Sequence, residues 1–119
     1  MTDASEYAYK LVTAEELALL RSAGSFASTL DQADGFIHMS PASVVRETAR
    51  LYYAGNTGLF LLRVSLSLLP SPVRWDFVAS RGVAFPHLYG SELPLSAVVD
   101  VIHVPLSASG DFELPSTIP

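Results

Sequence analysis

The chain is 119 residues long, 50% hydrophobic and 16% charged, enough for one domain around an ordinary hydrophobic core and too apolar for intrinsic disorder. It has no cysteine, which excludes disulfides, thiolate zinc sites and cysteine nucleophiles. Twelve acidic and seven basic residues leave a net charge of -5, which argues against a general coat for nucleic-acid phosphates.

Met1 to Glu6 is linker-like, and it carries Asp3 and Glu6 where a secretory leader would have positive charge and then an apolar run. A cytoplasmic protein is expected. Tyr7 to Val12 alternates aromatic and aliphatic residues with others and predicts a strand. Thr13 with Glu16 forms a capping-box pattern that starts a helix through Leu17, Leu20 and Arg21, ending at Gly24. Ser25 to Ala33 is polar and reads as irregular.

Phe36 to Met39 predicts a short strand between Asp34-Gly35 and Ser40-Pro41. Alternation puts Phe36 and His38 on one face, and Ile37 and Met39 on the other. Ser40 then caps a second helix with Pro41 in its first position, and Val44, Val45, Thr48, Ala49 and Tyr52 share a face before Gly55. Strands are expected at Leu59 to Val64, Val73 to Val78, Val83 to Leu88 and Ala97 to Val104. The greasiest stretch, Leu59 to Leu69, is broken by Arg63 and falls well short of the roughly 20 apolar residues of a membrane span. Two early helices followed by strands indicate a single α+β domain with a mixed or antiparallel sheet.

Three segments hold residues suited to chemistry. His38 ends a strand just before a helix start, where free backbone N–H groups suit a phosphate or carboxylate; Ser40 is either part of that site or only a cap. Phe85, His87 and Tyr89 share a face if the strand survives Pro86, and the histidine and phenol suit general acid–base work, with plain aromatic packing as the alternative for Tyr89. Arg74 and Asp76 share a face opposite Trp75, as an anion clamp with an orienting carboxylate or as a surface ion pair. His103 reads as structural. There is no phosphate loop, dinucleotide glycine motif, nucleophile elbow or zincin motif. A two-histidine, one-carboxylate metal site from His38, His87 and Asp76 or Asp34 is the runner-up.

Tyr9-Lys10-Leu11, then Asp34 to Ser40 (DGFIHMS), Val73 to Asp76 (VRWD) and Phe85 to Gly90 (FPHLYG), in this order, resemble the bacterial domain-of-unknown-function family 952, from Tyr9 to about Phe112. Members of that family are similar in fold to the ADP-ribosylation enzymes, which bind NAD in a cleft of split, mixed β structure. His38-Met39-Ser40 is similar to the His-Leu-Ser segment of the RNA 2'-phosphotransferases of that fold, which implies His38 against the ribose or pyrophosphate with Ser40 beside it. Many such transferases use a late glutamate; Glu92 is not assigned to that role, and His87 and Tyr89 lie nearest the place where it is expected. The acidic chain disfavours an RNA substrate.

The resulting expectation is an ADP-ribosyltransferase-like α+β domain over residues 7–112, with a flexible start at 1–6 and a tail at 113–119. It would bind NAD or an ADP-ribose-like compound, with no metal, nucleic-acid or membrane partner. His38, His87 and Tyr89 are the candidate catalytic residues, and Phe36, Ser40, Arg74, Trp75, Asp76 and Gly90 the candidate binding residues. A small metal-dependent enzyme and a non-catalytic ligand-binding module are the alternatives.

Overall fold

The structure, a computed structural model, describes residues 6–118, so nearly all of the segment assigned to a flexible start lies outside the described residues. Strand β1 (Tyr7–Thr13) leads into helix α1 (Ala14–Ala23) through the expected capping box, with Thr13 Oγ1 accepting from the Glu16 N–H at 3.1 Å and Glu16 returning the bond to Thr13 N at 2.9 Å. Gly24 closes the helix in the left-handed conformation at φ 80, where a side chain would be strained.

The next stretch is not irregular. It contains the two-residue strand β2 (Ser25–Phe26) and a further helix, α2 (Thr29–Asp34), giving three α-helices among the described residues where two were expected. A second capping box causes this: Ser28 Oγ accepts from the Asp31 N–H and Asp31 Oδ2 accepts from the Ser28 N–H, both at 3.0 Å. Strand β3 (Phe36–His38) follows, then a 3-10 turn (Ala42–Val44) and helix α3 (Val45–Tyr52).

Ser40 is not the cap of that helix. Its N–H and C=O are committed to Tyr9 of β1 at 2.7 and 2.8 Å, its hydroxyl reaches only Thr48 Oγ1 at 3.4 Å, and α3 begins five residues later with no side-chain cap. Pairing with β1 commits the Ser40 N–H, so it is not available to a ligand.

Strands β4 (Leu59–Ser65), β5 (Arg74–Val78), β6 (Val83–Tyr89), β7 (Leu93–Pro94) and β8 (Val98–Val104) complete the fold. They form three sheets, β1-β4-β8, β2-β7 and β3-β6-β5, and every named pairing is antiparallel, so the sheet is not mixed. Strand β6 survives Pro86, which lies opposite Trp75 in β5; the pairing with β3 ends at His38 and His87, one residue short of the proline.

The hydrophobic run of β4 is explained by burial on both faces. Leu62 and Val64 pack with Ala8, Val12, Leu20, Ile37 and Leu88 between the two three-stranded sheets. Leu59 and Leu61 pack on the other side with Leu11, Val45 and Ala49. Among the described residues no helix is long and apolar enough to cross a membrane.

The segment after Ser107 reads as linker by composition, yet it packs. Phe112 bridges to Leu106, and Phe112 and Ile118 join the second core cluster at 4% and 3% exposure. Ile118→Ala is therefore expected to destabilise the protein by about 2–5 kcal/mol, the range for truncating a buried isoleucine to alanine. A urea midpoint unchanged from the parent protein would show that this end contributes nothing.

Candidate functional site

Alternation along β1 puts Lys10 on the same face as Ala8 and Val12, which is the core face, and the lysine is 6% exposed. A buried ammonium needs a counter-charge, and α2 supplies it: Lys10 Nζ lies 3.0 Å from Asp31 Oδ2 and donates to the His38 carbonyl at 2.9 Å. The Asp31 side chain is 1% exposed and also accepts from Ser28 N–H, from His38 N–H at 3.0 Å and from His38 Nδ1 at 2.6 Å. Burial by itself would raise the Asp31 carboxyl, but the His38 ring, the Lys10 ammonium and the two backbone donors outweigh it and hold the group far below the usual carboxylate range. Burial pushes the Lys10 ammonium below its ordinary value, with Asp31 opposing.

The other ring nitrogen of His38, Nε2, faces Asp34 Oδ2 at 2.9 Å. Each ring nitrogen of His38 is thus taken up by a carboxylate oxygen, and neither is free.

His87 differs. It lies directly across the strand pair from His38, the two ring centroids 5.5 Å apart, and Phe36 stacks on it at 4.1 Å. Its Nδ1 lies 2.8 Å from Asp76 Oδ2, which also accepts from the Tyr89 hydroxyl at 2.6 Å. The Tyr89 bond, followed by His87, holds Asp76 below the usual carboxylate range, and that same bond raises the Tyr89 phenol. Burial lowers His87 against the pull of Asp76. A neutral imidazole beside an ionised carboxylate donates through Nδ1, which leaves the Nε2 lone pair free. Nε2 has no partner among the described residues and is not sealed in protein.

These groups border a cavity of about 620 Å³ between the outer face of β3-β6 and helices α2 and α3, lined among others by Tyr9, Lys10, Asp34, Phe36, His38, Thr48, Tyr53, Arg81, Phe85 and His87. Of the residues singled out from the sequence, Phe36, His38, Ser40 and His87 line it. Asp76 and Tyr89 stand behind His87, and Arg74 lies over the Tyr89 ring at 4.8 Å. Trp75 occupies the opposite face of β5, 41% exposed, and Gly90 is the left-handed residue, φ 82, that turns the chain out of β6. The His103 ring lies tilted against Phe60 at 5.2 Å, and neither residue lines the cavity.

Sequence reasoning missed Lys10, Asp31 and Arg81. For Asp31 a signal was present, since Ser28 with an acid three residues on is a capping-box pattern. Lys10 and Arg81 carry no local signal, because their partners lie 21 and 34 residues away.

No group of three or more His, Asp or Glu among the described residues is arranged to hold a metal ion. In the runner-up reading His38 would exchange one of its two carboxylate contacts for the metal.

The family model described as "Protein of unknown function (DUF952)" matches residues 11–101. No curated protein matches the chain. The crystal structure of protein CC0527 from Caulobacter crescentus is 33% identical, with a TM-score of 0.84, covering 94% of this chain and 97% of that one. A double mutant of the same protein gives 32% and 0.84 with the same coverage. Its solution NMR structure gives 34% and 0.76, covering 89% of this chain and 90% of that one.

Asp31→Asn leaves the Lys10 charge buried without its counter-ion and is expected to destabilise the fold by about 3–5 kcal/mol in chemical denaturation. Adding Lys10→Met should recover much of that loss. Because the folded Asp31 carboxyl is depressed, its stabilisation is present above the unfolded value near pH 4 and fades as the pH falls below it. The parent should therefore lose stability in acid more steeply than the double variant, and parallel pH profiles would refute this account of Asp31.

For His87, ring NMR is expected to report a single Nδ1–H tautomer titrating below the ordinary histidine value of about 6.5. Asp76→Asn removes an interaction that favours the charged ring and should lower that titration further. A shift upward would refute the assignment.

Proposed function

The chain belongs to the DUF952 family of proteins of unknown function, and from that premise we propose that its cavity binds NAD or an ADP-ribose-like nucleotide, in a domain of the ADP-ribosyltransferase kind. The observation that carries the reading is the wall of the cavity: a neutral histidine with a free Nε2, oriented by a carboxylate and stacked on Phe36. A base or nicotinamide ring suits such an aromatic wall, and about 620 Å³ lies within the range of roughly 300–1,000 Å³ typical of small-molecule sites. Two separate three-stranded sheets around a shared core support the split architecture.

Transfer from NAD breaks the bond from ribose to nicotinamide, forms a bond from ribose to an acceptor oxygen or nitrogen, and releases one proton from the acceptor. His87 Nε2 is the group that takes that proton, Asp76 fixes its tautomer, and Tyr89 fixes Asp76. His38, with a carboxylate at each ring nitrogen, shapes the wall.

One observation favours a second reading, in which the cavity binds the ligand without turnover. Asp34 is the sole acid among the lining residues and is engaged by His38, while Glu92 is exposed and holds Ser25 Oγ at 2.8 Å, outside the lining. No glutamate therefore stands ready to stabilise an oxocarbenium-like centre.

Calorimetric titration with NAD and with ADP-ribose, paired with a nicotinamide-release assay, tests both readings. The first expects saturable heat with release of nicotinamide. His87→Ala should retain binding and lose about 10²–10⁴-fold in turnover, the range for one general base. The parent rate should stay level down to the lowered His87 value and fall below it, as the ring takes up a proton. Heat without nicotinamide release supports the second reading, and no heat at millimolar ligand rejects both.

A further inference from the structure

Arg81, in the turn between β5 and β6, lines the cavity, yet its side chain is only 7% exposed. Its guanidinium is fixed from three directions. Nε donates to Glu47 Oε1 at 2.9 Å, Nη2 donates to Thr48 Oγ1 at 2.8 Å and lies 3.4 Å from the Val44 carbonyl, and the plane covers the Phe85 ring at 5.0 Å. Those bonds use the hydrogens of Nε and Nη2 and leave both N–H groups of Nη1 without a partner among the described residues. Among the described residues the one buried side-chain nitrogen or oxygen with no partner is Nε of Arg63, so Nη1 of Arg81, a residue that lines the cavity, is not enclosed by protein. Among the described residues the one carboxylate on this cation, Glu47, is itself 50% exposed, so a largely desolvated charge is left half compensated.

We propose that Arg81 is the oxyanion-binding group of this cavity and takes a phosphate of the ligand; the inference rests on reading the cavity as a ligand site. Only one nitrogen of the guanidinium is free, which prevents the two-nitrogen fork that favours a planar carboxylate, whereas a tetrahedral phosphate can accept from Nη1 through more than one oxygen. Phe85 and His87 are two residues apart on one face of β6, so the Arg81 subsite lies about 7 Å along the strand from His87, at roughly 3.3 Å per residue. The ligand that fits carries a phosphate a few covalent bonds from the atom facing His87 Nε2, as a phosphorylated sugar does.

The test uses the whole chain and a probe without a nucleoside. Sodium pyrophosphate is titrated at constant ionic strength while the arginine side-chain ¹⁵N resonances are followed, with succinate as the carboxylate control. The expected result is a saturable shift of the Arg81 resonance by pyrophosphate, at least ten-fold weaker with succinate, and at least ten-fold weaker binding of pyrophosphate to Arg81→Lys. An unmoved Arg81 resonance in the parent overturns the proposal whether or not the variant folds, and equal affinity of a folded Arg81→Lys does the same. If pyrophosphate binds at Arg81 but NAD and ADP-ribose do not bind, the nucleotide reading fails and the phosphate subsite stands. If NAD binds with the Arg81 resonance unmoved, the subsite fails and the nucleotide reading stands.

Discussion

A single buried carboxylate, Asp31, ties together elements that are far apart in sequence. It receives the Lys10 ammonium from β1, the N–H of Ser28 at the start of α2, and both the N–H and the ring of His38 from β3. Each donor alone would be an expensive buried polar group, and the acceptor alone a still more expensive buried charge. Together they satisfy one another, which lets a lysine occupy the core face of β1 between alanine and valine. The same bonds close α2, a helix of six residues, too short to persist without tertiary support.

That constraint reaches the surface through His38. With Nδ1 on Asp31 and Nε2 on Asp34, both ring nitrogens are occupied. Its cross-strand neighbour His87 has one carboxylate instead of two, and keeps a lone pair. Two histidines that look alike in sequence are thereby given different chemistry by how many acceptors surround each. Phe36 lies against both rings, at 4.5 Å from His38 and 4.1 Å from His87, and maintains the wall that they share.

The overall charge of the chain and the character of its cavity point in different directions. A net charge of -5 speaks against binding long phosphate backbones, a property that depends on many clustered cations. A small ligand samples only what lines its site, and there Lys10 and Arg81 stand against Asp34 as the charged lining groups. Disfavouring a nucleic acid is therefore compatible with favouring a phosphorylated small molecule. The similarity to CC0527 extends over 94% of this chain.

By itself the sequence determined the local features: the capping box of α1, the left-handed glycine after it, and the alternation that put Ile37 and Met39 inward and Phe36 and His38 outward. It also placed Phe85, His87 and Tyr89 on one face, because side chains alternate along a strand whatever it pairs with. It misjudged α2, where polar composition masked a capping box, and Ser40, whose cap pattern yielded to pairing with β1. Only the tertiary structure decided that Lys10 is buried, that Asp31 holds it, and that Arg81 reaches the same cavity as His87. Those outcomes depend on pairings across 20 or more residues, and the charge state of a buried group is set by the neighbours that packing brings to it.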